Sequence, residues 1–142
     1  MLMASGLPTF LGVNLVTPRG VVAHTDTDSV QAPGELGEFE LLPGHVPLLT
    51  ALRAGVLTIG TKVATRYAVS TGYLRVDPSG AVEILVEQAQ SAKEIDVTVA
   101  QADLKAAEAE LAKWGDRTHD GDYQSCLAKA GWARARIDAV AH

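Results

Sequence analysis

Apolar and polar residues alternate over short stretches of the first 90 residues, the pattern of β-strands with one buried face. In the first stretch, Leu11, Val13 and Leu15 alternate with Gly12 and Asn14. Turn residues separate the stretches, and Asp-Pro-Ser-Gly at 77–80 is a strong hairpin signal. The predicted strands are 10–17, 21–25, 29–32, 38–42, 56–59, 63–70, 73–76 and 81–87. Many short strands at this spacing predict an antiparallel β-sandwich or barrel.

Beyond residue 94 the apolar residues recur every three or four positions, which predicts two amphipathic helices. Asp96 is suited to cap the start of the first helix and Gly115 to follow its end, while Asp120 or Asp122 can cap the second. A polar loop at 116–122 joins them. The predicted buried positions are Val97, Ala100, Leu104, Ala107, Leu111 and Trp114, then Tyr123, Leu127, Ala130, Ala133, Ile137 and Val140.

Composition divides the chain where the pattern changes. All six prolines and ten of the thirteen glycines lie within residues 1–90, whereas thirteen alanines follow Ser91. Glycine and proline favour turns, and alanine favours helix. The sequence therefore predicts an α+β fold, with an N-terminal antiparallel β-sandwich at 1–90 and a C-terminal antiparallel two-helix hairpin at 94–142. Alanine faces bury little apolar area, so we expect a hairpin that can dock in one place or unfold and dock elsewhere.

Net charge and its distribution narrow the partners. The net charge of -5 and the 5% aromatic content exclude a basic or stacking surface for nucleic acid. Residues 94–122 carry three basic and eight acidic side chains, and residues 123–142 carry three basic and one acidic. Two interpretations follow: the helices attract each other through solvated side chains, or the basic helix also meets an acidic partner surface.

Location can be anticipated from what the chain lacks. No apolar run reaches the roughly 18 residues of a membrane span. The first residues lack the basic flank and long apolar stretch of a signal peptide, and no arginine precedes Arg19 as a transit peptide would require. We expect a soluble chain that is used in the cytosol.

No residue constellation predicts catalysis. The four histidines lack zinc-site spacing, and no Gly-x-Ser-x-Gly string is present. Gly-Glu-Leu-Gly at 34–37 has too few glycines for a phosphate loop. The single cysteine, Cys126, is expected to be a small packed residue of a helix. We therefore predict no catalytic residue, no metal site and no cofactor.

The most unusual segment is 42–50, where two prolines flank an apolar loop. Pro43 and Gly44 favour a tight turn, and Pro47 keeps the following residues extended. This segment is either a turn into an edge strand, with His45 as a hydrogen-bonded turn residue, or a docking surface.

Several strings, in this order, resemble the epsilon subunit family of F-type ATP synthases over nearly the whole chain. The most specific is Pro-Gly-His-x-Pro-Leu. Five residues, 38–42, separate Gly-Glu-Leu-Gly from Pro-Gly-His, where many members of the family have two. The strings are Gly-Glu-Leu-Gly at 34–37, Leu-Pro-Gly-His-Val-Pro-Leu-Leu-Thr-Ala-Leu at 42–52, Gly-Val-Leu at 55–57, Ser-Thr-Gly-Tyr-Leu-Arg-Val at 70–76, Ile-Asp at 95–96 and Asp-Gly-Asp-Tyr at 120–123.

The resemblance implies a non-catalytic subunit of the rotating central stalk. Members bind the gamma subunit and touch the ring of c subunits with the base of the β-sandwich, and so help to couple proton flow to ATP synthesis. In bacterial members the hairpin can extend along gamma, reach the catalytic beta subunit and inhibit ATP hydrolysis. The implied location is the cytoplasmic face of the bacterial inner membrane, peripheral and held there only through the complex.

The resemblance also assigns roles to residues. Glu35 matches the acidic residue that faces the c-ring loops, and His45 matches the histidine of the rotor-facing loop. The rotor and c-ring contacts implied are Glu35, Pro43, Gly44, His45 and Pro47. The basic residues implied to face an acidic segment of a beta subunit are Lys129, Arg134 and Arg136.

Some members bind ATP through an Ile/Leu-Asp-x-x-Arg-Ala motif and further arginines. Here Val99 stands where the motif has arginine, and Gln90 stands at a position that is acidic in those members. Ala106 and Trp132 replace two other arginines, and Arg136 alone is retained. Because a triphosphate needs several cationic donors, we do not expect nucleotide sensing. The alternative function is a free β-sandwich regulatory module whose hairpin binds a small ligand such as ATP.

Overall fold

The computed structural model describes residues 9–114 and 121–141, and this part of the chain folds into ten β-strands followed by two α-helices. A short 3₁₀ turn, Ala92–Glu94, links the strands to the helices. The strands are β1 (Leu11–Thr17), β2 (Gly20–Thr27), β3 (Val30–Gly34), β4 (Gly37–Leu41), β5 (Leu48–Leu52), β6 (Gly55–Ile59), β7 (Thr65–Val69), β8 (Gly72–Val76), β9 (Val82–Val86) and β10 (Ala89–Ser91). The helices are α1 (Val97–Leu111) and α2 (Gly121–Ala141).

The strands form one sheet in the order β10-β7-β6-β3-β5-β8-β9-β1-β2, and β4 pairs with β3 outside this order. Both halves of the sheet bury one face in the same apolar core, which confirms the predicted sandwich. The pairing of β1 with β9 departs from the antiparallel prediction, because these two strands are parallel. Antiparallel neighbours need only a short turn, but a parallel pair needs a long crossover, and here the intervening strands provide it.

The core follows the alternation of the sequence. Leu11, Val13 and Leu15 point inward from β1, and Leu74, Val76, Val82 and Ile84 do the same from β8 and β9. Burying the apolar side of each strand removes its side chains from water, which is the main force that holds the two halves together.

Eight predicted strands are present, and two strands were missed. The missed strands are β5 and β10. Because β5 lies between β3 and β8, the 42–50 segment leads into an interior strand, and the alternative of a turn into an edge strand was wrong about the edge. The residues that lengthen this region, 38–42, fall mostly in β4, which pairs with the full length of β3 and places Leu41 in the core.

The helices form the predicted antiparallel hairpin. The carboxylate of Asp96 accepts hydrogen bonds from the backbone N–H groups of Thr98 and Val99, which confirms the predicted N-cap. Ala100 and Ala107 are buried on α1, as expected from the three-four spacing. The predictions for Gly115, Asp120 and most of the 116–122 loop fall outside the described residues.

The second helix buries two stripes rather than one. Its buried residues are Cys126, Ala133, Ala135 and Ala139. Leu127 and Val140 are exposed, so the prediction that these two residues are buried was wrong. The stripe with Ala135 and Ala139 packs on Ala68 of the sheet. The hairpin therefore rests on the sheet through α2, over β6 and β7.

Candidate interaction surfaces

One outward face of the sheet is apolar and is not covered by this chain in the described residues. The cross-strand register places Ala51 opposite Tyr73, Tyr73 opposite Leu85, Leu85 opposite Val16, and Val16 opposite Val21. Of these side chains, Tyr73 is 59% exposed, Leu85 46% and Val21 64%. We call this row, Ala51, Tyr73, Leu85, Val16 and Val21, the open face. An exposed apolar row across five strands is typical of a surface that binds another protein.

The next outward row along the same strands is polar, and its side chains are paired with one another. The Arg75 guanidinium lies 3.3 Å from the Glu83 carboxylate, and the His24 ring nitrogen lies 2.7 Å from the Asn14 side-chain oxygen. Leu49 extends the apolar surface at the β5 end of this row. The open face therefore has one polar border whose hydrogen-bonding groups are already satisfied.

Glu35 lies at another border of the open face. Its backbone N–H donates to the carbonyl of Ala51, near the end of β5, and with Arg53, Thr71 and Glu87 it lines the concavity above Tyr73. Leu36, beside it at the tip of the β3–β4 hairpin, is fully exposed. A charged rim around an apolar floor is the usual anatomy of a protein interface.

The loop at 43–47, which begins and ends with proline and which we call the prolyl loop, lies at the opposite end of β5. The His45 N–H donates to the Leu42 carbonyl at 3.1 Å, and Gly44 has φ +84°. With Pro43 before it, this is a type II turn, which requires a residue tolerant of positive φ at that position. The His45 ring Nδ1 donates to the Val46 carbonyl at 2.8 Å, as expected of a turn residue.

The structure does not bring Glu35 and His45 together. Glu35 lies beside the end of β5, while His45 and Pro47 precede its start, and a five-residue strand spans about 13 Å. The five residues implied to contact the rotor therefore form two separate surfaces. The loop residues Val46 and Pro47 are exposed, as is Leu36 beside Glu35.

The three basic residues of α2 differ in their surroundings. Lys129 is exposed. Arg134 lies 3.7 Å from Glu108 of α1, and both side chains are largely exposed. Arg136 donates to Asp103 of α1 at 2.8 Å, and its guanidinium lies over the ring of Trp132, 5.5 Å from the ring centre. Two of the three basic groups therefore face the first helix of their own chain.

The described residues include no group of three or more His, Cys, Asp or Glu side chains that could hold a metal ion. Neither described helix is long and apolar enough to cross a membrane. Cys126 is buried, and this burial raises the pKa of its thiol, with a further contribution from the neighbouring Glu110 carboxylate. A raised thiol pKa opposes formation of the nucleophilic thiolate.

Sequence reasoning missed the residues of the open face. Their signal lies in β8 and β9, where Tyr73 precedes the buried Leu74 and Leu85 follows the buried Ile84. A strand that is apolar on both sides of the alternation has a second face to cover. Val16 gives the same signal after the buried Leu15, whereas Val21 joins the row only through the register of β1 against β2.

Comparisons with known proteins agree on one family. Residues 10–92 match the family model of the ATP synthase delta/epsilon chain β-sandwich domain. The chain is 42% identical over 128 residues to the ATP synthase epsilon chain of Geobacter sulfurreducens, covering 89% of each. It is 44% identical over 102 residues to that of Citrifermentans bemidjiense, covering 71% of this chain and 73% of the relative.

Solved structures share the fold at low sequence identity. A chain of the Euglena gracilis mitochondrial ATP synthase, solved as OSCP, F1 and c-ring, superposes with a TM-score of 0.78 at 18% identity. The match covers 100% of this chain and 88% of the other. A central stalk and c-ring structure from Tetrahymena thermophila gives a TM-score of 0.51 at 21% identity, over 59% of this chain and 68% of the other.

Proposed function

Because the chain belongs to the ATP synthase delta/epsilon chain family, we propose that it joins the gamma subunit to the c ring in the central stalk of an F-type ATP synthase. It is an epsilon subunit and is not itself catalytic. The similarities support this role and not the alternative of a free module that binds a small ligand. As part of the synthase, it belongs to a peripheral, membrane-associated complex.

The open face is the surface we assign to gamma. The observation that carries this assignment is the row of exposed Tyr73, Leu85 and Val21. Tyrosine at the centre of an apolar patch is typical of the residues that dominate binding energy. The row also lies on the half of the sheet that α2 leaves uncovered, so gamma can bind while the hairpin stays docked.

The two separate surfaces at the ends of β5 are assigned to the rotor. Glu35, with the fully exposed Leu36 beside it, offers a carboxylate and an apolar tip to the c-ring loops. The prolyl loop with Pro43, Gly44, His45 and Pro47 forms the second rotor-facing contact, and its type II turn holds it rigid without help from a partner. Both are preformed, which lowers the entropy lost on binding.

The hairpin is assigned a regulatory role. Within the proposed regulatory hairpin, 94–142, α2 contacts the sheet through Ala135 and Ala139, and small contacts of this kind favour reversible release. When released, α2 would present Lys129, Arg134 and Arg136 to an acidic surface of the beta subunit and slow ATP hydrolysis. The proposed location is the cytoplasmic face of the bacterial inner membrane, where the chain is held through the complex.

Co-expression with gamma from the same organism tests the central assignment. We expect a stable one-to-one complex in size-exclusion chromatography at moderate salt. Tyr73→Thr should weaken it at least about 30-fold, the scale of an interface anchor, whereas Val63→Thr, an equally simple change of an exposed side chain away from the open face, should leave it intact. Two separate peaks from folded wild-type proteins would contradict the proposal.

Truncation tests the regulatory assignment. In the reconstituted synthase, deleting residues 94–142 should raise the ATP hydrolysis rate, because the inhibitory helix is gone. An unchanged rate would remove the inhibitory role while leaving the assignment of gamma to the open face in place.

A further inference from the structure

The guanidinium of Arg136 is held by groups of its own chain. Its side chain is 13% exposed, its Nη2 lies 2.8 Å from Asp103 Oδ2, and its carbon lies 5.5 Å from the centre of the Trp132 ring. Its Nε is buried without a hydrogen-bond partner among the described residues. This group is therefore concealed in the docked hairpin, although it is not fully satisfied there.

A second contact of the same kind lies two residues earlier on α2. Arg134 faces Glu108 of α1 at 3.7 Å. In both contacts the anion comes from α1 and the cation from α2. Because α1 packs on α2, while α2 packs on β6 and β7, these contacts hold α1 to a helix that is already docked.

We propose that Asp103 and Glu108 act as an internal substitute for an acidic partner surface, so that α1 competes with that surface for Arg134 and Arg136. The proposal rests on the proposed function, since it needs α2 to meet an acidic partner when released. A carboxylate of α1 and a carboxylate of the partner make the same charge-assisted contact with a guanidinium, so one excludes the other. The α1 carboxylates thereby determine the fraction of molecules in which Arg134 and Arg136 can bind the acidic partner surface.

The competition predicts that removing the negative charges of Asp103 or Glu108 destabilises the docked hairpin. Asp103→Asn removes the charge from the partner of Arg136 and leaves a mostly buried guanidinium without its counter-charge. That change raises the free energy of the docked hairpin and leaves the basic face of α2 complete. Glu108→Gln acts in the same direction and more weakly, since both members of that pair are exposed.

Cys126 provides a built-in reporter of helix separation. It is the only cysteine of the sequence and it is buried. Its thiol interacts with Glu110 of α1 and with Trp114, which lies just beyond the end of that helix. In the isolated full-length chain, under conditions where the labelling rate is proportional to reagent concentration, thiol labelling tracks the separated population. Asp103→Asn should speed labelling at least about three-fold, the scale of a partly exposed ion pair.

Glu83→Gln is the control, because it makes the same kind of change, carboxylate to amide, in a more exposed ion pair on the sandwich and leaves the helices untouched. Raising the salt concentration should speed labelling of the wild type and of Glu83→Gln, and have less effect on Asp103→Asn, which has already lost the stronger pair. Equal labelling of Asp103→Asn and Glu83→Gln would overturn the proposal.

ATP hydrolysis by the reconstituted synthase separates competition from simple damage. Asp103→Asn and Arg136→Gln break the same ion pair from opposite sides. Asp103→Asn should lower the hydrolysis rate, because α1 no longer competes for an intact basic face of α2, whereas Arg136→Gln should not lower it, because α2 has lost the group that the partner binds. A rate that rises in both variants would overturn the competition.

The 94–142 deletion distinguishes the two levels of failure. If the deletion raises hydrolysis and Asp103→Asn does not lower it, the proposed function stands and the competition fails. If the deletion leaves hydrolysis unchanged, the inhibitory role itself fails. The competition then fails with it, and the labelling data report an ion-pair contact between helices and nothing more.

Discussion

The sandwich has two outward faces that are built from different side chains. Over β6 and β7, Val56 and Ala68 are covered by Ala135 and Ala139 of α2; we call this the covered face. On the other half of the sheet, the open face presents Tyr73, Leu85 and Val21 to solvent. Both faces are apolar rows on neighbouring strands of one sheet, so the difference lies in the size of the side chains and in what covers them.

Side-chain size suits each face to a different kind of contact. Alanine against alanine allows a helix to approach closely, but each pair removes little apolar surface from water, and the larger Trp132 and Ile95 are only partly buried against this cluster. Tyrosine and leucine bury far more area per residue, which suits a permanent partner. The comparison agrees with the proposal that the hairpin docks reversibly and that the open face binds gamma.

The largest expected effect is at Gly72, on the half of the sheet that carries the open face. A Cβ at this position would lie 2.0 Å from the Leu85 carbonyl oxygen, so the backbones of β8 and β9 must move apart. Gly72→Ala should lower the free energy of unfolding by about 3 kcal/mol, at the upper end for overpacked sites. Urea denaturation measures this, and an unchanged midpoint would show that the two strands are less closely packed than described.

A change on the covered face should have a smaller effect that is confined to the hairpin. Ala139 is fully buried against the sheet, so Ala139→Leu should force α2 away and lower the stability by about 1–2 kcal/mol. Ala128→Leu is the control, because it makes the same change at an exposed position of the same helix. Hydrogen exchange of β6 and β7 amides would localise the loss, and equal effects of the two variants would contradict the assigned contact.

Substitution of Gly131, on the helix that packs over the covered face, should change the stability in the opposite direction to substitution of Gly72. A Cβ on Gly131 would lie 3.5 Å from the Ala54 Cβ, which is ordinary van der Waals contact. Gly131→Ala should therefore stabilise the chain by about 1 kcal/mol, the helix-propensity difference between the two residues. Thermal unfolding tests the sign, and a lower melting temperature would mean that α2 and the β5–β6 turn are too close for a methyl group.

The smallest effect concerns the turn between β8 and β9. The Ser79 hydroxyl donates to the Asp77 carboxylate, which also accepts from the backbone N–H of Ser79 and Ala81, and these contacts lower the pKa of Asp77. Since the folded-state pKa lies below the ordinary value of 3.8, the stabilisation is present above that pH and is lost as the pH falls through the lowered pKa. Comparing wild type with Asp77→Asn should give a stability difference that narrows in acid; a constant difference would contradict it.

Local features could be read from the sequence. The alternation of β1, the Asp-Pro-Ser-Gly turn and the Asp96 cap each depend on neighbours within a few residues. The strand after Pro47 was missed because its residues, Leu-Leu-Thr-Ala-Leu at 48–52, show no clear alternation, and its pairing along its length with β8 cannot be seen from its neighbours in sequence. The position of α2 on the sheet was also missed, because alanine gives almost no hydrophobic periodicity.

Parts of the candidate surfaces that depend on local contacts could be predicted, whereas parts that depend on residues distant in sequence could not. One of the two interpretations of the 42–50 segment made His45 a hydrogen-bonded turn residue, and its two local hydrogen bonds agree with that interpretation. The pairing of Arg136 with Asp103, 33 residues away along the chain, depends on how the helices cross and is not visible in either helix alone. The open face depends on register across five strands, which no single strand specifies.

The parallel pairing of β1 with β9 also bears on how the domain is made. β1 lies between β2, its hairpin neighbour, and β9, which ends at Val86. During synthesis the first strand must wait with one edge unpaired until β9 has left the ribosome, and such distant pairings form slowly. The two helices are synthesised after β9. By the time α2 can dock, β9 has only just become available to pair with β1 and complete the sheet.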